Sequence, residues 1–500
     1  MLRRALHRVP DIAWYLMLGL LPLTSFPLMS RLVGGAMVMP PAGLVLFFLV
    51  LAWLLPALAR GRSFPPQAKP LLVFAGGCVI SALLSFFLPI PPFKDENFTL
   101  HMLEAGLTLG VGVCMYLVVA AYPKDRSMLA RSLGWINASG FILVAWSLAQ
   151  AFFWYTRHDY PDWMATIQGY LSVTRLYPQR VTGLAFEPSW LAHQLNMLYL
   201  PLWMAASALR FSAHRVRLWF ITVEDLLLLG GFAVLGLSIS RVGWLSALLM
   251  VCLLLLKANL GLIRWVRAWI ERCSRNSARA ARANSPALTI GLLLGLLLVY
   301  GVLFLGAGVA ISRADPRMAR LFNLDTLREE GFSAYANQLQ FAERVVFWET
   351  GWEVFNDYPI LGVGLGNTGY FFQEKMSPLG WALVEVNQNI FRESSIPNSK
   401  SMWSRLLAET GLVGFALFLT WGLFLWFTGS QLGRRHPKIY PMLGLAVQLV
   451  LIGFLIEGFS IDSFALPYVW VSAGLATAAW RVSRTEDKGA SAHHSPDPME

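Results

Sequence analysis

Six side chains have the types and settings for chemistry: the cations Arg180, Arg241, Arg344, Lys400 and Arg405, and the carboxylate Glu187. Most of them stand at the edges of apolar runs, where an ionised group is expensive unless it faces a partner or a polar cavity. Guanidinium groups stay protonated at any working pH and present a planar fork that takes phosphate oxygens in pairs. Their convergence would require a strongly anionic ligand, and a lipid pyrophosphate at a membrane surface fits that description. In a group transfer from such a ligand, the cations would stabilise the charge that develops on the leaving pyrophosphate. A carboxylate would take the proton of an incoming sugar hydroxyl. Glu187 opens a predicted helix at Glu187-Pro188-Ser189, where proline is tolerated because its missing N–H has no helical partner. The helix dipole favours the carboxylate form at that position. Catalytic base and structural partner of Arg180 or Arg241 are equally weighted roles for it. No ATP-binding motif, Ser–His–Asp triad or Cys/His cluster with metal spacing accompanies these residues, so no metal and no other cofactor is expected.

The elements that must position them are membrane spans. The chain has 500 residues, 56% hydrophobic and only 14% charged, the profile of an all-α polytopic membrane protein. Apolar runs of about 17–25 residues give about twelve spans: 12–30, 41–59, 71–90, 100–121, 132–153, 187–209, 218–239, 242–256, 287–311, 403–428, 441–459 and 461–480. Cytoplasmic loops should hold excess Lys and Arg. With the N-terminus inside, the inner segments carry Arg3, Arg4, Arg8, Arg60, Arg62, Lys69, Lys124, Arg126, Arg131, Arg210, Arg215, Arg217, Arg434, Arg435 and Lys438, and a basic run from Lys257 through Arg264, Arg267, Arg272, Arg275 and Arg279 to Arg282. The short outer loops carry only Arg31, Lys94 and Arg241. Both termini are therefore expected in the cytoplasm, with outer loops at 154–186 and 313–402, the latter between helices 9 and 10. The organisation expected is spans 1–9 within 1–312, the large loop 313–402, spans 10–12 within 403–480, and a disordered cytoplasmic tail at 481–500.

The net charge of +11 raises nucleic-acid binding, but the basic residues gather at cytoplasmic helix ends, where anionic lipid headgroups are the fitting partner. The stretch Arg264–Arg282 reads as a topogenic basic loop, with an amphipathic interfacial helix as its alternative. Cys78, Cys114 and Cys252 fall within spans and Cys273 in an inner loop, so no disulfide staples the outer segments. The N-terminal apolar run lacks a small-residue cleavage site after Leu16–Leu23 and is read as a retained first helix.

The long polar stretch Arg313–Met402 divides. Ala314–Gly331 is charged and mixed. Tyr335–Asn356 reads as one amphipathic helix with Phe341, Val345, Trp348, Trp352 and Phe355 on one face, ended by Asp357-Tyr358-Pro359. Gly362–Asn367, GVGLGN, lacks the strand–turn–helix setting of a dinucleotide site; a turn that brings backbone close to the bundle or to a lipid pyrophosphate fits it better. Asn398 or Ser399 is expected to cap the tenth helix, with Lys400 and Arg405 at its outer face and Glu409 further in. Glu457 and Asp462 would line the same cavity or cap a helical hairpin. His101 and Glu104, three apart on one helix face, read as an interhelical hydrogen-bonding pair before a functional one.

The segments RVTGLAFEPSWLA, SRVGWLS, ERVVFWETGWEVFNDYPILGVGLGN and NSKSMWSRLLAETGLVGF together resemble the O-antigen ligase and polymerase (Wzy-type) superfamily over Arg180 to Phe415. The resemblance implies a type C glycosyltransferase-like fold in the bacterial inner membrane. It implies transfer of an undecaprenyl-pyrophosphate-linked glycan to an acceptor at the periplasmic face, with Arg241 and Arg344 binding pyrophosphate. Ligases commonly carry a His-Asn pair about eleven residues before the final Gly of L-A-E-T-G; here Lys400-Ser401 stands there.

That departure, with the EPS motif at Glu187–Ser189, favours a polymerase of exopolysaccharide or O-antigen repeats over a ligase that moves finished glycan to a lipid or protein. A glycolipid flippase is the reading from another class, and it would need a polar path through to the cytoplasmic side. Expected partners are the lipid-linked donor and acceptor and membrane lipids, with a chain-length regulator protein as a candidate and no nucleic acid. Arg241, Arg344 and Glu187 are the candidate catalytic residues, and Arg180, Lys400 and Arg405 the candidate substrate-binding ones.

Overall fold

A computed structural model describes residues 8–28, 40–94, 96–214, 217–273, 290–291, 293–302, 305–306, 324–339, 341–392 and 396–492. The basic residues Arg3, Arg4, Arg31, Arg215, Arg275, Arg279 and Arg282, and the start of the long polar stretch at Arg313, lie outside the described residues. The described helices are, in chain order, α1 (Val9–Gly19), α2 (Pro41–Ala59), α3 (Ala68–Leu84), α4 (Phe98–Ala121), α5 (Arg126–Arg157), α6 (Asp162–Leu171), α7 (188–209), α8 (Val223–Ser238) and α9 (Arg241–Cys273). They continue with α10 (Leu293–Val302), α11 (Asp325–Glu329), α12 (Phe332–Gln338), α13 (Ala342–Asp357), α14 (Met402–Leu432), α15 (Ile439–Glu457) and α16 (Pro467–Ala492), with short turns of helix between 368 and 392. One two-residue antiparallel pairing, Arg217–Leu218 with Ile221–Thr222, precedes α8.

Seven helices among the described residues are long and apolar enough to cross a membrane: α2, the α3 region, α4, α5, the first part of α9, α14 and α15. The other expected spans contain helix where described, but shorter or more polar; α1 has 11 residues and α8 has 16. Helix α7 is interrupted by a π-turn at Leu195–Tyr199. Two boundaries differ from the sequence reading. The short run 242–256 belongs to one continuous helix that reaches Cys273, so its basic end up to that residue is helix rather than loop. The expected disordered tail at 481–500 is helical as far as Ala492, because α16 carries its ladder past its apolar part, with Arg481 donating to the Ala120 and Ala121 carbonyls at the end of α4.

The described chain separates into two compact units. The first comprises 1–247, 351–372 and 396–500; the second comprises 248–350 and 373–395. The described residues of the expected large loop 313–402 are divided between the two units. In the first unit α16 packs along α4, with the Tyr116 hydroxyl 3.0 Å from Thr477 Oγ1, while α14 packs against α3 and α15.

The main device of the first unit is a break in α14. Gly411 has φ 62° and ψ −168°, a region open essentially to glycine alone. The break leaves carbonyls free on one side and N–H groups free on the other, a cost no apolar surrounding would meet. The glycine turn fills it: Val363 and Gly364 donate to the Ala408 and Glu409 carbonyls at 2.9 Å each, and Leu412 and Val413 donate to the Pro359 and Ile360 carbonyls at 2.8 and 3.2 Å. Ser81 Oγ of α3 adds bonds to the Leu361 and Glu409 carbonyls at 2.6 and 2.9 Å. A Cβ on Gly362 would stand 2.4 Å from the Glu409 carbonyl carbon, so the two backbones approach as only glycine allows. The GVGLGN and LAETG segments are thus two halves of one splice, which agrees with the expected close backbone approach.

In the second unit the expected single helix Tyr335–Asn356 is two: α12 ends at Gln338 and α13 begins at Ala342. The face buried there is Ala342, Val346 and Phe347 rather than Phe341, Val345 and Trp348. The Pro378–Trp381 turn decides this, because a Cβ on its Gly380 would touch Val346 Cγ1 at 2.7 Å. The helix ends at Asp357, as the Tyr358-Pro359 pair requires.

Candidate functional site

At one end of the first unit, the loop 180–187 is fastened on three sides. Val181 N–H donates to the Leu237 carbonyl at 3.2 Å, and Arg180 Nε donates to the Ser238 carbonyl at 3.1 Å, which ties the loop to the end of α8. Gln150 of α5 accepts from the Thr182 and Gly183 N–H groups and donates to the Gly183 carbonyl, at 3.2, 2.9 and 3.0 Å. Phe186 N–H donates to Thr24 Oγ1 at 2.7 Å. The loop delivers Glu187 as the N-cap residue of α7, with Pro188 in the first turn. The carboxylate of Glu187 caps no backbone N–H; it accepts the Ser189 hydroxyl instead.

Arg180 and Glu187 share a neighbour. The Tyr177 phenol has its pKa raised, first by burial and then by the Glu187 carboxylate, while the Arg180 guanidinium works in the opposite direction. Both charges therefore act on one phenol, which puts cation and carboxylate in the same electrostatic neighbourhood.

Arg241 begins α9 immediately after α8, across a turn whose Ile239 has φ 50°. A β-branched residue in the left-handed region is strained. The same conformation occurs at Gln179 (φ 63°), just before Arg180, and at Lys400 itself (φ 48°). Left-handed backbone beside three candidate cations is the kind of local cost that persists where the surrounding structure fixes a side-chain position.

Beneath the turn lies a buried polar cluster. Asn196 Nδ2 donates to the Gly243 carbonyl at 2.8 Å and to Glu457 Oε1 at 2.7 Å. His193 Nδ1 lies 3.4 Å from Glu457 Oε2, and both side chains are 2% exposed. Glu457 ends α15, and the following Gly458 carbonyl accepts from Ser401 Oγ at 3.1 Å and Met402 N–H at 2.7 Å. Arg241, α7, the end of α15 and the Lys400–Met402 segment are thereby linked in one chain of bonds. Asn196→Ala removes the donor to both Gly243 and Glu457; we expect a loss of about 1–2 kcal/mol, read as a lowered thermal midpoint of the detergent-solubilised protein.

Two details differ from the sequence reading. The cap of α14 is Ser401, whose hydroxyl accepts from Ser404 N–H at 3.4 Å, rather than Asn398 or Ser399. The Gly458 carbonyl pins Ser401 and Met402, which sets where the helix begins. Arg405 points into the bundle: Nε bonds Glu409 Oε2 at 2.9 Å, Nη1 bonds the Asp462 carbonyl at 2.7 Å, and the guanidinium stands 5.1 Å over the Phe464 ring. In this conformation its charge is spent on the protein itself.

A family model described as O-antigen ligase matches residues 226–419. The match supports the O-antigen ligase/polymerase superfamily. With the seven long apolar helices among the described residues, the match supports a membrane protein of this superfamily. The matched O-antigen ligase region runs from α8 to the middle of α14 and includes Arg241, Arg344, Lys400, Arg405 and the whole glycine splice; Arg180, Glu187, His193 and Glu457 lie beyond it. No curated protein matches the chain.

The bonds above bring Arg180, Glu187, Arg241 and Lys400 to the same end of the first unit. Arg344 lies in the first turns of α13, in the second unit. His193, Asn196 and Tyr177 escaped the sequence reading. Glu457 was the available signal, since an ionisable residue inside an apolar run implies a partner; which partner only the fold shows. His101 packs on Tyr370, ring centroids 5.9 Å apart. Chemically, the arrangement offers guanidinium and ammonium groups for phosphate oxygens beside a carboxylate able to take a proton.

Proposed function

We propose that this protein is a polysaccharide polymerase that joins undecaprenyl-pyrophosphate-linked repeat units at the periplasmic face of the bacterial inner membrane. The growing lipid-linked chain is the donor and a single lipid-linked repeat is the acceptor. Arg241, with Arg344, binds the donor pyrophosphate and stabilises its departure; Arg180 and Lys400 orient the two substrates; Glu187 takes the proton of the attacking sugar hydroxyl. The bond made is the new glycosidic linkage and the bond broken joins the donor sugar to its pyrophosphate, so the activated donor supplies the driving force.

The observation that supports this reading is that one fastened loop carries both Arg180 and Glu187, which act on the same Tyr177 phenol, beside the strained turn that leads to Arg241. Replacement of Glu187 by Gln keeps the size and the hydrogen bond with Ser189 but removes the base. We expect polymer formation to fall about 10²–10⁴-fold at normal protein level. Normal polymer from Glu187→Gln would reduce Glu187 to a structural partner.

The name of the matched family favours one other reading, a ligase that transfers finished glycan to a lipid or protein acceptor. The two part on gene deletion. Loss of a polymerase leaves single lipid-linked repeats, whereas loss of a ligase leaves long unattached polymer on its lipid. Deletion strains resolved by gel and mass spectrometry separate them.

A further inference from the structure

Past the glycine splice, the chain up to Phe371 lies on two helices of the first unit. A Cβ on Gly364 would stand 2.9 Å from Ser85 Cβ, in the turn that ends α3, and one on Gly366 would stand 2.8 Å from Ala105 Cβ of α4. This seat delivers Tyr370 to a pocket of about 380 Å³, within the range of about 300–1,000 Å³ common to small-molecule sites. Phe86, Pro91, Pro92, Glu96 and Phe98 share its walls. Phe98 meets Phe86 edge to face, ring centroids 5.4 Å apart, and meets Tyr370 in the same manner at 6.1 Å.

Three observations restrict what can fill it. Tyr370 is 2% exposed, and its hydroxyl has no hydrogen-bond partner among the described residues; a buried polar group left unpaired is expensive, so a ligand that bonds it gains. The carboxylates of Glu96 and Glu104 both act on this phenol, raising its pKa beyond what burial does. They keep the phenol a donor and repel phosphate. The wall residues 90–96 connect two apolar spans, Ala68–Phe87 and Phe98–Ala121, which puts the pocket at a membrane surface rather than at the depth of acyl chains. It also adjoins the candidate site: a Cβ on Gly369 would run into the Pro397 carbonyl, and Pro397 precedes Lys400 by three residues.

Resting on the reading above that the substrate is a lipid-linked glycan, we propose that this pocket is a subsite for an uncharged sugar ring of that glycan, held between its aromatic walls, the Tyr370 hydroxyl and the Glu96 carboxylate. Aromatic faces carry negative charge density and attract the polarised C–H groups on the flat side of a sugar. A carboxylate accepts hydroxyl protons on both oxygens, and a phenol donates one. A phospholipid headgroup fits less well, because any ammonium group it offers Glu96 arrives with a phosphate. Binding energy gained on such a ring helps to position the reacting bond.

The test uses the full-length protein in nanodiscs and the oligosaccharide released from one lipid-linked repeat by mild acid, which carries neither lipid nor pyrophosphate. This saccharide should bind the wild type in saturation-transfer NMR; no binding overturns the assignment. Tyr370→Phe removes a hydroxyl that the fold leaves unpaired, so the thermal midpoint without saccharide should not fall, while affinity for the saccharide should drop about fivefold. Glu96→Gln should lower it about tenfold. Unchanged affinity in either variant overturns the assignment, and a lower midpoint in Tyr370→Phe would give the hydroxyl to the fold and overturn it too. Displacement of the saccharide by dioctanoyl phosphatidylethanolamine or phosphatidylglycerol would make the pocket a headgroup seat, with the same consequence. If the wild type builds no polymer from lipid-linked repeats while both variants still weaken saccharide binding, the polymerase reading fails and the subsite stands; if it builds polymer and the variants bind saccharide as it does, the subsite fails and the polymerase reading stands.

Discussion

Arg241→Ala is expected to lower polymer synthesis by about 10²–10³-fold, the usual cost of one donor aimed at developing transition-state charge, with the protein still present in the membrane. The fold makes this a clean test. Bonds that do not involve its guanidinium hold the chain around Arg241: Asn196 bonds the Gly243 carbonyl, Trp244 N–H bonds the Ser240 carbonyl at 2.9 Å, and Ser246 Oγ bonds the Gly453 carbonyl at 3.0 Å. Loss of the guanidinium should therefore leave the turn standing. Arg241→Lys keeps the charge but loses the bidentate fork, and we expect it to recover only part of the activity. If Arg241 and Arg344 act on the same pyrophosphate, the double variant Arg241→Ala, Arg344→Ala should lose less than the product of the single losses. Intact chain-length distribution in that double variant would remove the proposed pyrophosphate site.

The second large effect is on stability. Gly411→Ala should cost about 3 kcal/mol or more, the sum of strain in a glycine-only conformation and of the backbone bonds it would disturb. The added Cβ would stand 2.3 Å from the Ile360 carbonyl oxygen and 2.5 Å from Leu361 N. Neither is a side chain able to swing away. Gly362→Ala attacks the same contact from the other side and should behave alike. The measurements are membrane-inserted protein level and thermal midpoint in detergent; a Gly411→Ala protein as abundant and as stable as the wild type would mean that the splice is not what holds α14 to 359–364.

These two cases show what a sequence can and cannot display here. Apolar runs announce helices such as Phe98–Ala121 and Ile439–Glu457 because length and hydropathy are properties of one segment. The turn between α8 and α9 was legible for the same reason, being local. The splice of GVGLGN into LAETG depends on backbone groups some 50 residues apart; glycine spacing signalled a close approach, and nothing in the sequence said to what. Arg405 is a different case: its position beside a span suggested a ligand contact, and packing pairs it with Glu409, one turn on. His193 and Asn196 were hidden inside an apolar run, and only packing reveals that they converge on Glu457. Helix α13 was mis-faced because the residues that cover it come from 376–381, whose place no periodicity predicts.

The two family motifs therefore divide their labour. The glycine splice is architectural, and it leaves the charged loops around 180–187, 239–241 and 399–402 as the part of the first unit available for chemistry. The proposed base, Glu187, lies outside the region 226–419 that the family model matches.

The most direct measurement is reconstitution. Purified protein in nanodiscs receives only undecaprenyl-pyrophosphate-linked repeat units, and the products are resolved by length. The account predicts a ladder of chains growing by single repeats and collapsing to unreacted monomer with Glu187→Gln or Arg241→Ala. Transfer of preformed polymer to a separate acceptor, with no ladder from repeats alone, would contradict it.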